Sequence, residues 1–395
     1  MRILFVLLLL IGIGCGGDGG GSDDATVVAS STPTVTPPPS ATATPAPASP
    51  AATPSPAASP VAFAAGGSVT VTSDDGGFQW STEPVLPVGN AVDFADRSTG
   101  WVASTTGAGG EIRHTTDGGK SWRLQSEELG YPRPTFHDVD AVDRARAVVA
   151  GRETVFVGST EQTGTPAMFF TRDGGTTWQR SELSGFDAEA FAQVEMWSVC
   201  VTAAGHGVAA GRQLASPTSP GLLLVTQDAG ATWRPPTAAS TTVRPIEVDC
   251  AGEQDFWVTD DLRHIQHSPD GGASWRDIAT TLPGDGALQA VDFDGPSEGY
   301  VLTSAFHRLE VFHTTDGGAH WTVHDIVGST GLIEVFAAMD FDGAHGVVVA
   351  QDLHPLYPPR SSFGVAFATA DGGATWTETV FPEPINALWD VVLLP

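Results

Sequence analysis

The chain has 395 residues, with 18 Lys and Arg against 46 Asp and Glu, a formal net charge of -28, and Lys120 as its one lysine. A field of that sign repels phosphate backbones, so it argues against nucleic acid and for solubility outside a cell or affinity for basic partners. Three cysteines are too few for a disulfide framework.

Residues 1–14 carry Arg2 and then an apolar run over residues 3–13. That run is too short to span a bilayer and predicts a secretory signal. Ile13-Gly14-Cys15 follows and resembles a bacterial lipobox, with Gly12 where the usual pattern has leucine. A lipidated Cys15 would anchor the chain to a membrane without spanning it; an unmodified one would leave the chain secreted. Residues 15–60 are Gly/Ser/Asp-rich, then Ala/Thr/Pro/Ser-rich. Such a composition buries no core and predicts a disordered tether with a reach on the order of 100 Å.

From residue 61 to 395 a repeat organises the sequence. The pattern Ser/Thr-x-Asp-Gly-Gly-x-x-Trp ends at Trp80, Trp122, Trp178, Trp233, Trp275, Trp321 and Trp376, and only Asp228-Ala229-Gly230 breaks the glycine pair. Successive tryptophans are 42, 56, 55, 42, 46 and 55 residues apart. Paired glycines permit the positive φ of a tight hairpin. The aspartates (Asp75, Asp117, Asp173, Asp228, Asp270, Asp316 and Asp371) can accept backbone N–H bonds across that turn, and the tryptophan can lock the hairpin onto its sheet. The unit resembles the Asp-box, or bacterial neuraminidase repeat.

A period near ~45 residues with strand-rich intervals predicts a β-propeller with one four-stranded blade per repeat. The first full blade has an inner strand at residues 91–95, then strands at 101–104, 111–115 and from 121; five further blades follow the same order. Residues 387–394 make an inner strand with no blade after it, and strands at 61–65, 68–73 and 78–82 have no inner partner. One C-terminal and three N-terminal strands thus close a seventh blade. The predicted fold is an all-β, seven-bladed β-propeller.

Aligned inner strands give a column of Asp93, Asp140, Cys200, Asp249, Asp292, Asp340 and Asp390. Its repetition predicts a hydrogen-bonding role within each blade rather than a ring of cation ligands. No calcium loop of the helix-loop-helix type and no zinc-spaced His/Cys cluster occurs, so no metal and no cofactor is expected. Cys200 and Cys250 lie on neighbouring inner strands one position out of step; the offset points them to opposite strand faces and favours two buried thiols, with a disulfide, chemically possible outside the cytoplasm, as the alternative. Trp101, Trp257 and Tyr300 hold equivalent second-strand positions and are expected in the core.

Function is expected on the face opposite the repeated hairpins. Long loops at residues 152–167, 212–220 and 351–362 and the loops leading into the inner strands place Arg133, His137, Arg152, Arg212, Arg244, Tyr357 and Arg360 on one rim, beside Tyr131 and His354. Arginine and tyrosine are favoured at interfaces, and arginine grips carboxylates bidentately.

The same repeat occurs in sialidases and in some endoglucanases, which makes a glycoside hydrolase or carbohydrate-binding protein the alternative. The sialidase Arg-Ile-Pro signature is absent, since Arg244-Pro245-Ile246 has the wrong order. Sialidase propellers have six blades, and the endoglucanases pair two propellers around a cleft. No catalytic residue is assigned. A closer resemblance is to the photosystem II stability/assembly factor propellers and their relatives in non-photosynthetic bacteria. It rests on Val92-Asp93-Phe94, Gly100-Trp101-Val102 and Thr115-Thr116-Asp117-Gly118-Gly119, and again on Val291-Asp292-Phe293 and Gly299-Tyr300-Val301. The resemblance implies a non-catalytic, chaperone-like scaffold, here monomeric, extracytoplasmic and held to a membrane by its lipid, with a protein or glycan of the cell envelope as partner.

Overall fold

The computed structural model describes residues 59–66, 69–85, 89–106, 109–126, 129, 134–157, 160–187, 193–213, 220–237, 244–278, 282–305, 308–326, 333–354, 361–382, 385 and 387–395. The signal segment, Cys15 and nearly all of the tether lie outside the described residues.

The predicted seven-bladed, all-β propeller is what the strands form. Blade 1 runs Ala91–Phe94, Gly100–Thr106, Gly109–Thr115 and Arg123–Leu124, each strand antiparallel to the next. Blades 2, 4, 5 and 6 repeat that order, starting from Pro134–Asp140, Pro245–Cys250, Ala287–Phe293 and Ile333–Asp342. Blade 3 pairs Val194–Val201, Gly207–Gln213 and Leu222–Thr226, and its outer segment makes one bridge, Val225 to Arg234. That segment instead runs parallel to Glu182–Leu183, the end of the preceding repeat. The closing blade has the strand order Asp390–Leu394, Val61–Gly66, Val69–Ser73, Ser81–Val85. Closure of this kind pairs the strand edges that a linear array would expose.

All seven Asp-Gly hairpins have one hydrogen-bond plan. In blade 1 Thr115 Oγ1 donates to Asp117 Oδ1 at 2.8 Å and accepts from Gly119 N, while Asp117 Oδ1 accepts from Ser121 N. The broken copy keeps the geometry, with Ala229 held at φ 54° where the others have glycine. Gly118 N donates to the Ser98 carbonyl, so this hairpin sits against the turn that leaves the inner strand. Each closing tryptophan packs against a different apolar cluster, and those clusters fill the spaces between blades. Trp101, Trp257 and Tyr300 are buried there as expected.

Two of the three long rim loops are corrected to strand. Ala147–Val157 and Thr160–Thr171 stay paired almost to their tip, as do His345–His354 and Ser361–Thr369. Antiparallel pairing simply continues past the blade body in these hairpins.

The column of inner-strand acids is also corrected: its bonds run between blades. Asp93 Oδ2 accepts from Ala141 N at 2.7 Å, Asp140 from Val201, Asp249 from Phe293, Asp292 from Phe341 and Asp340 from Leu393. In every case the donor is the residue just after the next blade's own column member. Cys200 holds that place in blade 3, and Cys250 is the residue that would donate to it. The two form a disulfide, with Cα atoms 5.8 Å apart. The expected pair of thiols is therefore wrong. A one-residue offset separates faces within a sheet, but consecutive inner strands meet edge to edge across a blade junction, where every staple has that offset.

Asp390 leaves the column. Val392 pairs with Phe63 as Asp93 pairs with Trp101, so Val392 is the column residue of the closing blade. Asp390 lies two residues above and accepts from Val92 N at 2.8 Å, as Asp138 accepts from Val199 N and Ser198 Oγ from Val248 N. At the Val392 junction Phe63 stacks on Phe94, with centroids 3.7 Å apart.

Candidate binding site at the channel mouth

The inner strands ring a central channel, and three residues before the column the blades stop agreeing. The register of the inner strand shifts between Phe136 and Asp138, Met196 and Ser198, Pro245 and Glu247, and Leu288 and Ala290. These β-bulges leave His137, Trp197, Ile246 and Gln289 unpaired, and a bulge re-aims the residue it frees. Gly151 makes room for the blade 2 bulge, because a Cβ there would collide with the Thr135 carbonyl. Asn90, Ala337 and Trp389 hold the same place in the other three blades. All seven residues line one funnel of 690 Å³ on the face opposite the hairpins.

Below that ring, the funnel floor has Asp138, Glu247 and Asp390, and the channel beneath adds Asp93, Asp140, Asp249, Asp292 and Asp340. Burial pushes these carboxyls up, to about 6 for Asp93, about 7 for Asp249 and Asp390, and about 8 for Glu247. Burial, then the facing Asp390 and Glu247, also raise Asp138. No group of His, Cys, Asp and Glu suited to a metal ion occurs among the described residues.

The expected rim is partly assembled. Arg152 Nε lies 2.7 Å from Glu195 Oε1, and His137 Nε2 lies 3.5 Å from the same oxygen. Burial raises Glu195, but the His137 hydrogen bond and the Arg152 and Arg212 charges outweigh it and hold the carboxyl below its ordinary value. Trp197 stacks with His137 and has the Arg212 guanidinium 3.7 Å from its ring centre, a cation–π contact. Burial lowers Arg212, against the opposing pull of Glu195 and Asp261. Arg244 Nε is paired with Asp261 Oδ1 at 2.7 Å. Arg133, Tyr131, Tyr357, Arg360 and the side chain of His354 lie outside the described residues. Glu195, Trp197, Asp261 and Trp389 join the site without any motif to mark them. Their one signal is position, since Trp197 and Trp389 each stand three residues before a column residue.

These ionisations set the pH response of stability. The channel carboxyls have folded values above their unfolded ones, so their favourable contribution is complete below about pH 4 and is lost as pH rises through about 6 to 8. The hairpin carboxylates run the other way. Side-chain and backbone hydrogen bonds from Ser121 hold Asp117 at about 2, so its contribution is present above the unfolded value and lost as pH falls toward 2. Stability in urea titrations is expected to peak near about pH 4 and to fall toward about pH 8, by at least ~3 kcal/mol. A midpoint that rises over that interval would contradict the buried carboxyl ring.

No family model matches the chain. The photosystem II assembly lipoprotein Ycf48 of Synechococcus sp. (strain CC9902) is 27% identical over 158 residues, covering 37% of this chain and 43% of that protein. The match thus spans less than half of that relative. Among solved structures, YCF48 bound to D1 peptide has a TM-score of 0.52 at 17% identity, covering 73% of this chain and 85% of the other. A GH74 xyloglucanase from Xanthomonas campestris has a TM-score of 0.50 at 14% identity, covering 81% of this chain and 65% of the other. The chain therefore resembles the photosystem II assembly factor Ycf48 in sequence over part of its length and shares its propeller fold.

Proposed function

We propose that this chain is a non-catalytic binding propeller, tethered outside the cytoplasm by a lipid on Cys15, which holds a segment of an envelope protein during assembly of a membrane complex. One observation carries this reading: seven side chains of six types are presented at the channel mouth by a ring whose lower layers repeat. Repetition below builds the ring, and variety above is what recognition of one partner requires. The partial sequence match to an assembly lipoprotein supports it. A glycan is the second reading, because the Trp197 and Trp389 indoles share the funnel with the Asn90 and Gln289 amides.

Photo-crosslinking tests the proposal. A photoreactive residue in place of Gln289, at the mouth, is expected to capture polypeptide in cells, and the same residue in place of Lys120, on the hairpin face, is not. Trp389→Ala should cut the Gln289 adduct by about tenfold, the loss expected for an aromatic interface anchor. Equal capture from both faces, glycan adducts alone, or sugar released from sialosides or β-glucans by the purified protein would overturn it.

A further inference from the structure

The mouth also indicates the chemistry of the segment it receives; this step rests on the polypeptide-binding reading above. An arginine-rich rim suggests a partner with carboxylates, yet the rim supplies its own. Arg152 is engaged by Glu195 and Arg244 by Asp261, and Arg212 lies over Trp197 under the pull of Glu195 and Asp261. Arg212 and His137 are the basic groups among the described residues lining the funnel, against Asp138, Glu247, Asp261 and Asp390.

The walls suit a cation as well. Trp389 is 39% exposed, the most exposed tryptophan of the protein. The Trp197 ring is already taken by His137 and Arg212, which leaves Trp389 as the open indole of the wall. An indole face attracts a cation, more strongly as water is excluded. On the floor, Asp138 and Asp390 each accept two backbone N–H groups. Glu247 differs. Its Oε1 accepts from the Ser198 hydroxyl at 2.8 Å, a side-chain donor where the other two have backbone donors from two blades. A funnel of 690 Å³ admits one side chain and the backbone that bears it.

We infer that the funnel receives a basic side chain, a lysine or arginine projecting from the bound polypeptide, with its alkyl stem and cation against the Trp389 indole and its charge directed at Glu247. The polypeptide on either side of that residue crosses the rim. Four carboxyls against two basic groups in the funnel favour the same occupant over an acidic one.

Short peptides with both ends blocked test this, identical except for a central lysine, norleucine or glutamate. Binding is read by tryptophan fluorescence and calorimetry at low salt. The lysine peptide is expected to bind roughly tenfold tighter than the norleucine peptide, and the glutamate peptide more weakly than either. Trp389→Ala and Glu247→Gln should each bring the lysine peptide to the norleucine level. Trp389 is exposed, and glutamine keeps the oxygen that Ser198 uses, so unchanged melting temperatures are expected to accompany the loss. Equal binding of lysine and norleucine, tighter binding of glutamate, or no binding by any peptide overturns the inference. If polypeptide is still captured at Gln289 while lysine has no advantage, this inference fails and the binding function stands. If no polypeptide is captured there, both fail.

Discussion

Removing residues 390–395 is expected to abolish cooperative folding, not to trim an end. Asp390–Leu394 is the inner strand of the closing blade, and its Val391, Val392 and Leu393 are buried. Each such side chain contributes about 1.5–3 kcal/mol by burial, so the three together offset most of the roughly 5–15 kcal/mol by which a domain of ordinary stability stays folded. Two blade junctions fail with them. Asp340 loses the Leu393 donor, and Val92 N loses the Asp390 carboxylate. The strand Val61–Gly66 is then left with an unpaired edge beside the channel. Circular dichroism on heating and in urea should show no single sharp transition for the truncated chain. A soluble truncation that melts cooperatively within a few degrees of the full chain would show that the ring does not need this strand.

The second large effect concerns the junction between blades 3 and 4. Cys200→Ser with Cys250→Ser opens a covalent loop with a sequence separation of 50, and the expected loss is about 4 kcal/mol. The location of the bond adds a sharper test. Because Cys200 stands where five other blades have an aspartate stapled to the next strand, Cys200→Asp with Cys250→Ala should rebuild the common staple. A carboxylate accepting a backbone N–H contributes about 1.5–3 kcal/mol, so this pair should recover part of what the serine pair loses. The comparison is a set of urea titrations at one pH. An aspartate variant no more stable than the serine variant would mean that the junction geometry of blade 3 differs from the others.

The parts of the fold that repeat were legible in the sequence. Seven hairpins in register announced the blades, and the unmatched strands at the two ends announced the closure, because each needs a partner that only the other end supplies. What the sequence hid depends on neighbouring blades. The Asp93 column could be seen, but not that its bonds cross to Ala141 and its counterparts, since strand alignment shows positions within blades and not across junctions. Asp390 entered the column by type when its pairing register puts Val392 there. Cys200 and Cys250 failed for the same reason: their offset has opposite meanings within a sheet and between sheets.

The site was legible as a face and not as a set of residues. Arginine and histidine were noticed because they depart from an acidic composition, and His137, Arg152 and Arg212 do meet. Glu195 and Asp261, which hold them, are two acids among 46 with no spacing to set them apart, and Trp197 is one tryptophan among 11, marked only by its distance from the column. Bulges are invisible to periodicity, and here the bulges choose which residues face the funnel.

A residue outside the strand ladder carries no rung of it, so exchanging His137, Trp197, Ile246 or Gln289 leaves the pairing of its blade almost untouched. The staples that close the ring sit three residues away on the same strands. Partner choice and ring integrity are thereby written in separate letters of one strand. A lineage can revise the mouth at these four positions without passing through an unfolded ancestor, and a designer can treat them as dials on a frame that stays shut.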